Sequence, residues 1–199
     1  MNHNLTMADR AVLYRDSVYG KKFPASTLHP EPGDGRVYGW WMIGNDYRNK
    51  SKLYGAYPRG LLDRLMAMYP DAERVLHVFS GSLPPGPYVR FDLSKDRIAD
   101  VYGDAQELSS HFGSNSFDLV VGDPPYGPAE AVKYGTPMPN RAKVLREIYK
   151  VLEPGGHLVW LDRRRPMYRK SEWRWQGVVG ILRSTNHEYR GLEFFQRQA

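Results

Sequence analysis

The sequence predicts a single α/β domain built on a mainly parallel sheet, and three observations predict it. Short apolar runs recur at Arg74–Phe79, Tyr88–Asp92, Ala99–Tyr102, Phe117–Gly122 and His157–Asp162. Such runs read as strands buried on both faces, the mark of a parallel sheet. Helical patterns alternate with several of them, which places helices over the sheet faces. At 199 residues the chain is long enough for one sizeable domain and short for two.

Composition narrows the chemistry. There is no cysteine, so disulfides and thiol-based metal or nucleophile chemistry are excluded. The six histidines are scattered without ligand spacing, and no metal is expected. The longest apolar runs fall far short of a membrane span. The first twenty residues are polar and charged rather than signal-like, which fits a cytoplasmic location. The net charge is +6, with 28 Lys and Arg against 22 Asp and Glu. A basic balance permits an anionic partner such as nucleic acid without establishing one.

Residues 1–36 show no sustained periodicity, and Pro24, Pro30, Pro32, Gly33 and Gly35 punctuate them. They read as an arm or irregular lid, with residues 1–53 set apart from a globular unit over 54–199. Tyr38–Ile43 is apolar and aromatic, a short strand or a plug against the core, with Trp40 or Trp41 in that core. Asn45–Lys52 is a polar basic loop, and aromatics beside basic residues can form a nucleic-acid stacking surface. Pro58 opens a helix whose apolar face is Leu61, Leu62, Leu65, Met68 and Tyr69, ended by Pro70. His77 falls inside the first strand and reads as a core histidine.

After the first three strands, Gln106–Phe112 reads as a short helix, and residues 127–139, rich in Gly and Pro, as a loop. Asn140 suits the N-cap of a helix striped by Val144, Leu145, Ile148 and Leu152. Pro154-Gly155-Gly156 ends that helix before the fifth strand. Gly177–Leu182 and Leu192–Gln196 form a closing strand pair around Asn186-His187, antiparallel because the connection is short.

The chain is organised around Phe117–Tyr126. Its Val-rich strand runs into Asp123-Pro124-Pro125-Tyr126, which continues neither a ladder nor a helix because two prolines fix φ and donate no hydrogen bond. Asp123 and Tyr126 are thereby held at the carboxyl end of a strand, where open α/β sheets bind ligands. A carboxylate, the Pro124 carbonyl and an aromatic face together suit an amino group on a flat ring. Three other strand ends add to this. Phe79-Ser80-Gly81-Ser82 puts a glycine where backbone passes close to a ligand. Asp92 can accept from the hydroxyls of a ribose. Asp104 with the Ala105 amide can hold the edge of an adenine.

On these residues the stretch from about Tyr54 to Gln196 resembles the class I S-adenosylmethionine-dependent methyltransferases of the amino-methylating type, which include the DNA adenine-N6 enzymes. The resemblance implies a Rossmann-like seven-stranded sheet of order 3-2-1-4-5-7-6 with strand 7 antiparallel. It implies S-adenosylmethionine held by Phe79, Ser80, Gly81, Ser82, Asp92, Asp104, Ala105 and Asp123. Tyr54–Pro58 matches the upstream motif, which sets Tyr57 and Pro58 against the methionine end. Asp123, Pro124, Pro125 and Tyr126 match the catalytic motif, with Tyr126 stacking on an extruded base, and an Asp at its head leans towards adenine N6.

Two features depart from the pattern. Gly81 and Asp92 are eleven positions apart with Pro84, Pro85 and Pro87 between, so the first crossover is shortened. Only thirteen residues separate Tyr126 from Asn140, so target choice falls to that loop, to the arm or to a protein partner. Lys133, Arg141, Arg163, Arg164 and Arg165 are the candidate phosphate contacts, against the alternative of a solvated charged face. RNA in place of DNA, or a non-catalytic nucleic-acid-binding subunit of the same fold, are the competing readings.

Overall fold

The computed structural model describes residues 5–23, 27–44, 57–183 and 189–198. The chain begins with helices α1 (Met7–Asp16) and α2 (Val18–Lys22), then strands β1 (Thr27–Pro30) and β2 (Val37–Ile43). Helix α3 (Leu61–Met68) leads into β3 (Val75–Val78), β4 (Val89–Asp92) and β5 (Val101–Tyr102). A 3-10 helix (Ala105–Ser110) precedes β6 (Phe117–Gly122), followed by α4 (Pro128–Tyr134), α5 (Arg141–Val151), β7 (Leu152–Asp162), β8 (Trp173–Arg183) and β9 (Tyr189–Arg197).

The expectation of seven strands is corrected. Among the described residues one sheet holds nine, in the order β1-β2-β8-β9-β7-β6-β3-β4-β5. The order as a whole differs because β1 and β2 add beyond β8, with β2 parallel to β8 and β1 antiparallel to β2. Strands β7, β6, β3, β4 and β5 are mutually parallel, and β9 runs against both β7 and β8. The structure is thus an α/β sheet whose parallel half carries the strand ends singled out above.

The reading of residues 1–36 as an irregular arm is also corrected. Thr6 and Asp9 form a reciprocal capping box at the start of α1. Met7, Ala11 and Tyr14 of α1 are buried in the core. Buried Arg10 ties α1 to the end of α3 through Asp71 (2.8 Å) and the Met68 carbonyl (3.0 Å). The periodicity is weak because the buried face includes an arginine, which a hydrophobic pattern does not register. Asn45–Lys52 and Asn186-His187 lie outside the described residues.

Side chains alternate across the sheet and build two cores. Leu119 and Val121 of β6 join Val159, Leu161, Leu192, Phe194 and Trp41 under α1 and α3. Val120 joins Leu76, Val78, Leu158 and Trp160 under α5 and the 3-10 helix. This period of two in strands and 3.6 in helices yields a three-layer packing. Gly177 (φ 128°) sits at the bulge in β8, where a Cβ would lie 1.9 Å from the Val37 carbonyl oxygen, so only glycine lets β8 meet β2 there.

Other differences are local. Pro58 and Arg59 precede rather than open α3, whose N-cap is Gly60 (φ 75°). The expected helix at Gln106–Phe112 is a 3-10 helix capped by Asp104. The 127–139 segment, expected as a loop, contains α4, started by Pro128 and ended by left-handed Gly135 (φ 67°). No helix lies between β3 and β4. The Leu83 N–H bonds the Ser80 carbonyl (3.0 Å) and Tyr88 Oη donates to the Pro84 carbonyl (2.7 Å), so hydrogen-bonded turns replace the crossover helix.

Candidate functional site

The parallel strands β3, β4, β5, β6 and β7 all end at one edge of the sheet, and a cleft of about 770 Å³, including its open mouth, lies there.

At the end of β3 the chain turns sharply. Phe79 adopts a left-handed backbone (φ 61°), rare for a large residue, and its ring meets Trp160 edge-on at 6.3 Å. Gly81 follows with φ 55°, and its N–H donates to Asp92 Oδ2 (2.8 Å). The Ser94 N–H donates to Asp92 Oδ1 (2.9 Å). Two backbone donors thus fix the Asp92 carboxylate at the cleft wall, and each oxygen keeps a second lone-pair site. Ser80 and Ser82 each bury an Oγ with no hydrogen-bond partner among the described residues.

Beyond β5, Asp104 accepts from the Gln106 N–H (2.8 Å) and side-chain amide (3.0 Å), and Gln106 Oε1 accepts from the Asn140 N–H (3.2 Å). Gly103, Asp104, Ala105 and Gln106 line the cleft beside Phe91, Leu93 and Ser94. Tyr134, Thr136, Pro137 and Pro139, from α4 and the segment after it, close the opposite side.

The corner after β6 is the most heavily tied part. Tyr126 Oη donates to Asp123 Oδ1 (2.5 Å), and the Tyr126 N–H donates to Glu130 Oε2 (2.7 Å). Arg190 of β9 places its guanidinium 4.5 Å from the Tyr126 ring centre, and that of Arg163 lies 5.5 Å away. The ring that was expected to stack on a base is therefore already flanked by two cations. Burial pushes the Asp123 carboxyl up to about 6; the hydroxyl of Tyr126 and the charge of Arg190 oppose this, and Asp162 and Glu130 reinforce it. Burial, then the negative charge of Asp123, raise the Tyr126 hydroxyl well above its ordinary range.

Tyr57 and Pro58 do not line the cleft. The Tyr57 hydroxyl lies 3.2 Å from His77 Nδ1, and burial together with the charges of Asp123, Tyr88 and Asp92 raises it. His77 is buried between Tyr57 and Tyr88, and burial lowers it to about 4, as a neutral core histidine requires.

The basic residues divide. Arg141 turns inward, with Nε on buried Asp162 (2.6 Å) and Nη2 on the Pro125 carbonyl (3.1 Å), so it braces the corner instead of facing solvent. Arg163 pairs with Glu130 (3.1 Å), and Arg165 pairs with Glu193 (3.0 Å) while stacking on Trp175 (3.8 Å). Arg164 and Lys133 are exposed. Among the described residues no cluster of acids and histidines could hold a metal ion, and no helix is long and apolar enough to cross a membrane.

Sequence reasoning missed Asp162, Glu130, Arg190 and Tyr134. Asp162 carried a usable signal: it is a further acid at the end of a predicted parallel strand, like Asp92. Arg190 carried none, since its distance from Tyr126 is set by the pairing of β9 with β7.

No family model matches the chain. Demethylmenaquinone methyltransferase of Lactiplantibacillus plantarum is 33% identical over 107 residues, which cover 51% of this chain and 40% of that protein. Aminoglycoside N(3)-acetyltransferase III of Serratia marcescens is 30% identical over 112 residues, 53% of this chain and 40% of that protein. The chain thus spans 40% of the length of these curated relatives. Among solved structures, the N-methyltransferase NodS of Bradyrhizobium japonicum is similar with a TM-score of 0.41 at 15% identity, covering 64% of this chain and 87% of that one. An arsenic(III) S-adenosylmethionine methyltransferase of Chlamydomonas reinhardtii gives a TM-score of 0.35 at 16% identity, covering 62% of each chain. These structural likenesses are distant, and the functional reading rests on the geometry of the cleft.

Proposed function

We propose that the protein transfers a methyl group from S-adenosylmethionine to an exocyclic amino nitrogen of a nucleic-acid base, adenine N6 in DNA. The observation that supports this most is the convergence of Asp92, Asp104 with Ala105, and the Asp123–Tyr126 corner on one cleft at the carboxyl edge of the sheet. The methyltransferase among the curated relatives supports the methyl-transfer part of this reading and not the choice of acceptor.

The residues present fit the cofactor. Asp92 is pinned in place with acceptor capacity left for the two hydroxyls of a ribose. Phe91, Leu93 and Ala105 offer an apolar slot for an adenine, next to the Asp104 carboxylate. Of the glycine turn, Phe79 and Gly81 line the cleft, whereas Ser80 and Ser82 do not. When bound, S-adenosylmethionine supplies an electrophilic methyl on a sulfonium.

The protein's own residues would then act on the acceptor. The amino nitrogen of an adenine is a poor nucleophile because its lone pair is delocalised into the ring. Asp123 and the Pro124 carbonyl accept its two hydrogens, favour a pyramidal nitrogen and stabilise the positive charge that develops there. Tyr126 fixes the Asp123 carboxylate in register, and Arg190 with Arg141 holds Tyr126 and the corner in place. Nucleophile and methyl would then meet as a matter of positioning: the N–C bond would form as the methyl–sulfur bond breaks, the neutral thioether would leave, and the proton shed by the nitrogen would pass to the Asp123 carboxylate. A base in duplex DNA must be extruded to reach this depth.

A smaller amine acceptor is the second reading. It is favoured by the pairing of Arg141, Arg163 and Arg165 within the protein, which narrows the footprint for a duplex. Mass-spectrometric mapping of methylated nucleosides, in cells expressing the wild type or Asp123→Ala, tests the choice. N6-methyladenine in DNA with the wild type alone is the expected result. Methylation of RNA, or of no nucleic acid, would turn the reading to the alternatives.

A further inference from the structure

Among the described residues, one face of the sheet near the cleft carries exposed aromatic and apolar side chains. On β2, Val37, Trp41 and Ile43 enter the core, while the alternate residues Trp40 and Met42 are 49% and 46% exposed. Tyr189 of β9 is 51% exposed on the same face and meets Trp40 edge-on at 5.0 Å. Gly180 lies beneath them, where a Cβ would stand 2.6 Å from the Trp40 ring and 2.9 Å from the Tyr189 hydroxyl. Glycine here lets both rings lie low on the sheet.

The ladder connects this surface to the site. Trp40 is opposite Gly180, Gly180 opposite Gly191, and Gly191 opposite Asp162, the residue that Arg141 joins to the Asp123–Tyr126 corner. Three strand spacings make this roughly 14 Å, within reach of nucleotides flanking a base held at the corner.

The charge around the face suits a polyanion. The Arg164 guanidinium is exposed with no ion pair or hydrogen bond among the described residues, and Arg36 and Arg165 flank Trp175 at 5.1 and 3.8 Å. The nearby carboxylates are engaged: Glu193 is buried on Arg165 and Trp175, and Asp34 pairs with Arg36. The chain carries a net charge of +6.

We propose that the Trp40–Tyr189 face is a stacking platform for single-stranded DNA adjacent to the target base, with Arg164 on its phosphates. Exposed aromatics on an uncovered sheet bind single strands because every base offers a π-face. This rests on the DNA reading of the site and specifies the form in which the substrate is held.

Fluorescence anisotropy with a fluorescein-labelled, adenine-containing single-stranded DNA tests it, with the matching duplex as competitor. The double variant Trp40→Ala/Tyr189→Ala should weaken single-strand binding about ten- to hundred-fold. Its S-adenosylmethionine affinity should stay at the wild-type value, which also reports that it folds. Arg164→Gln, a surface change that leaves folding intact, should lower the salt dependence by about one phosphate contact. If the wild type binds the strand and the double variant binds equally well, the platform is overturned while the DNA reading stands. If the double variant instead converts a dimer to a monomer with DNA affinity unchanged, the face belongs to a second copy and the inference is likewise overturned. A wild type that binds S-adenosylmethionine but neither DNA form overturns both.

Discussion

Tyr126 Oη sits 2.5 Å from Asp123 Oδ1 and donates to it, so the aromatic residue of the corner serves the carboxylate of the same corner. The two are three positions apart, and the intervening prolines leave the backbone little freedom to separate them. The bond favours ionised Asp123, against the burial that raises it to about 6. Removing the hydroxyl should therefore raise that carboxyl further. Tyr126→Phe is expected to retain activity at high pH, with the acid limb of its rate profile displaced upward by roughly one unit. A pH–rate series on both proteins measures this, and coincident limbs would show that the hydroxyl does not act on Asp123.

The same carboxyl links stability to pH. Its folded value, about 6, lies above the unfolded one, so the folded state binds the proton more tightly. That contribution is complete below the unfolded pKa and is lost as pH rises from about 4 to 6. Asp123→Asn removes the cost of burying the charge and should stabilise the protein at pH 7.5 by roughly 2–3 kcal/mol, with little gain at pH 4. His77 works in the other direction. Buried and lowered to about 4, it loses stability as pH falls through 6.5 towards 4. Denaturant midpoints of the wild type and Asp123→Asn across this window separate the two contributions.

Arg141 is a brace, and its loss should be felt in stability before any effect on nucleic acid. It is the hydrogen-bonded ion-pair partner of Asp162, whose side chain is fully buried. Arg141→Ala leaves that carboxylate without its cation, held by the Arg163 N–H (2.7 Å) and the Trp160 indole N–H (3.3 Å), and should cost about 2–3 kcal/mol. Arg164→Ala, at an exposed site, should change stability by no more than about 0.5 kcal/mol. Thermal melts of the two variants give the contrast directly.

The parallel half of the sheet was legible because each of its strands is an apolar run and each functional residue sits where a run ends: Asp92, Asp104 and Asp123 could be placed by counting. What was not legible depends on pairing distant in sequence. The pairing of β2 with β8 cannot be read from either strand, so residues 1–53 stand apart from the globular unit in the sequence even though Tyr38–Ile43 reads as a short strand or plug. Arg10 hides the buried face of α1 by being buried itself. The partners of Arg141 and Arg163 were not legible either, because a charged residue in sequence does not reveal the carboxylate it meets; here Arg141 pairs with Asp162 and Arg163 with Glu130. The helix at Pro128–Tyr134 was missed although Gly127-Pro128 and Gly135 mark both its ends, because its short apolar pattern gave no face to count.

Gly122 bears on the corner through packing. A Cβ there would lie 2.7 Å from the Trp160 ring, which is fully buried, so neither partner has room to yield. Gly122→Ala should destabilise by about 1–3 kcal/mol. Because the strain enters one residue before Asp123, catalytic turnover should fall by more than cofactor affinity does. Equal losses in both would place the disturbance in the whole cleft.

The central claim, that the cleft at the carboxyl edge binds S-adenosylmethionine through Asp92 while Asp123 serves the acceptor, is tested most directly by calorimetric titration of three proteins. These are the wild type, Asp92→Ala and Asp123→Ala, each first shown to melt cooperatively, since Asp92→Ala leaves the Gly81 and Ser94 N–H groups without their acceptor. The wild type and Asp123→Ala should bind the cofactor with similar affinity, and Asp92→Ala should show no binding heat. A folded wild type that gives no heat, or a folded Asp92→Ala that binds as the wild type does, would contradict the account.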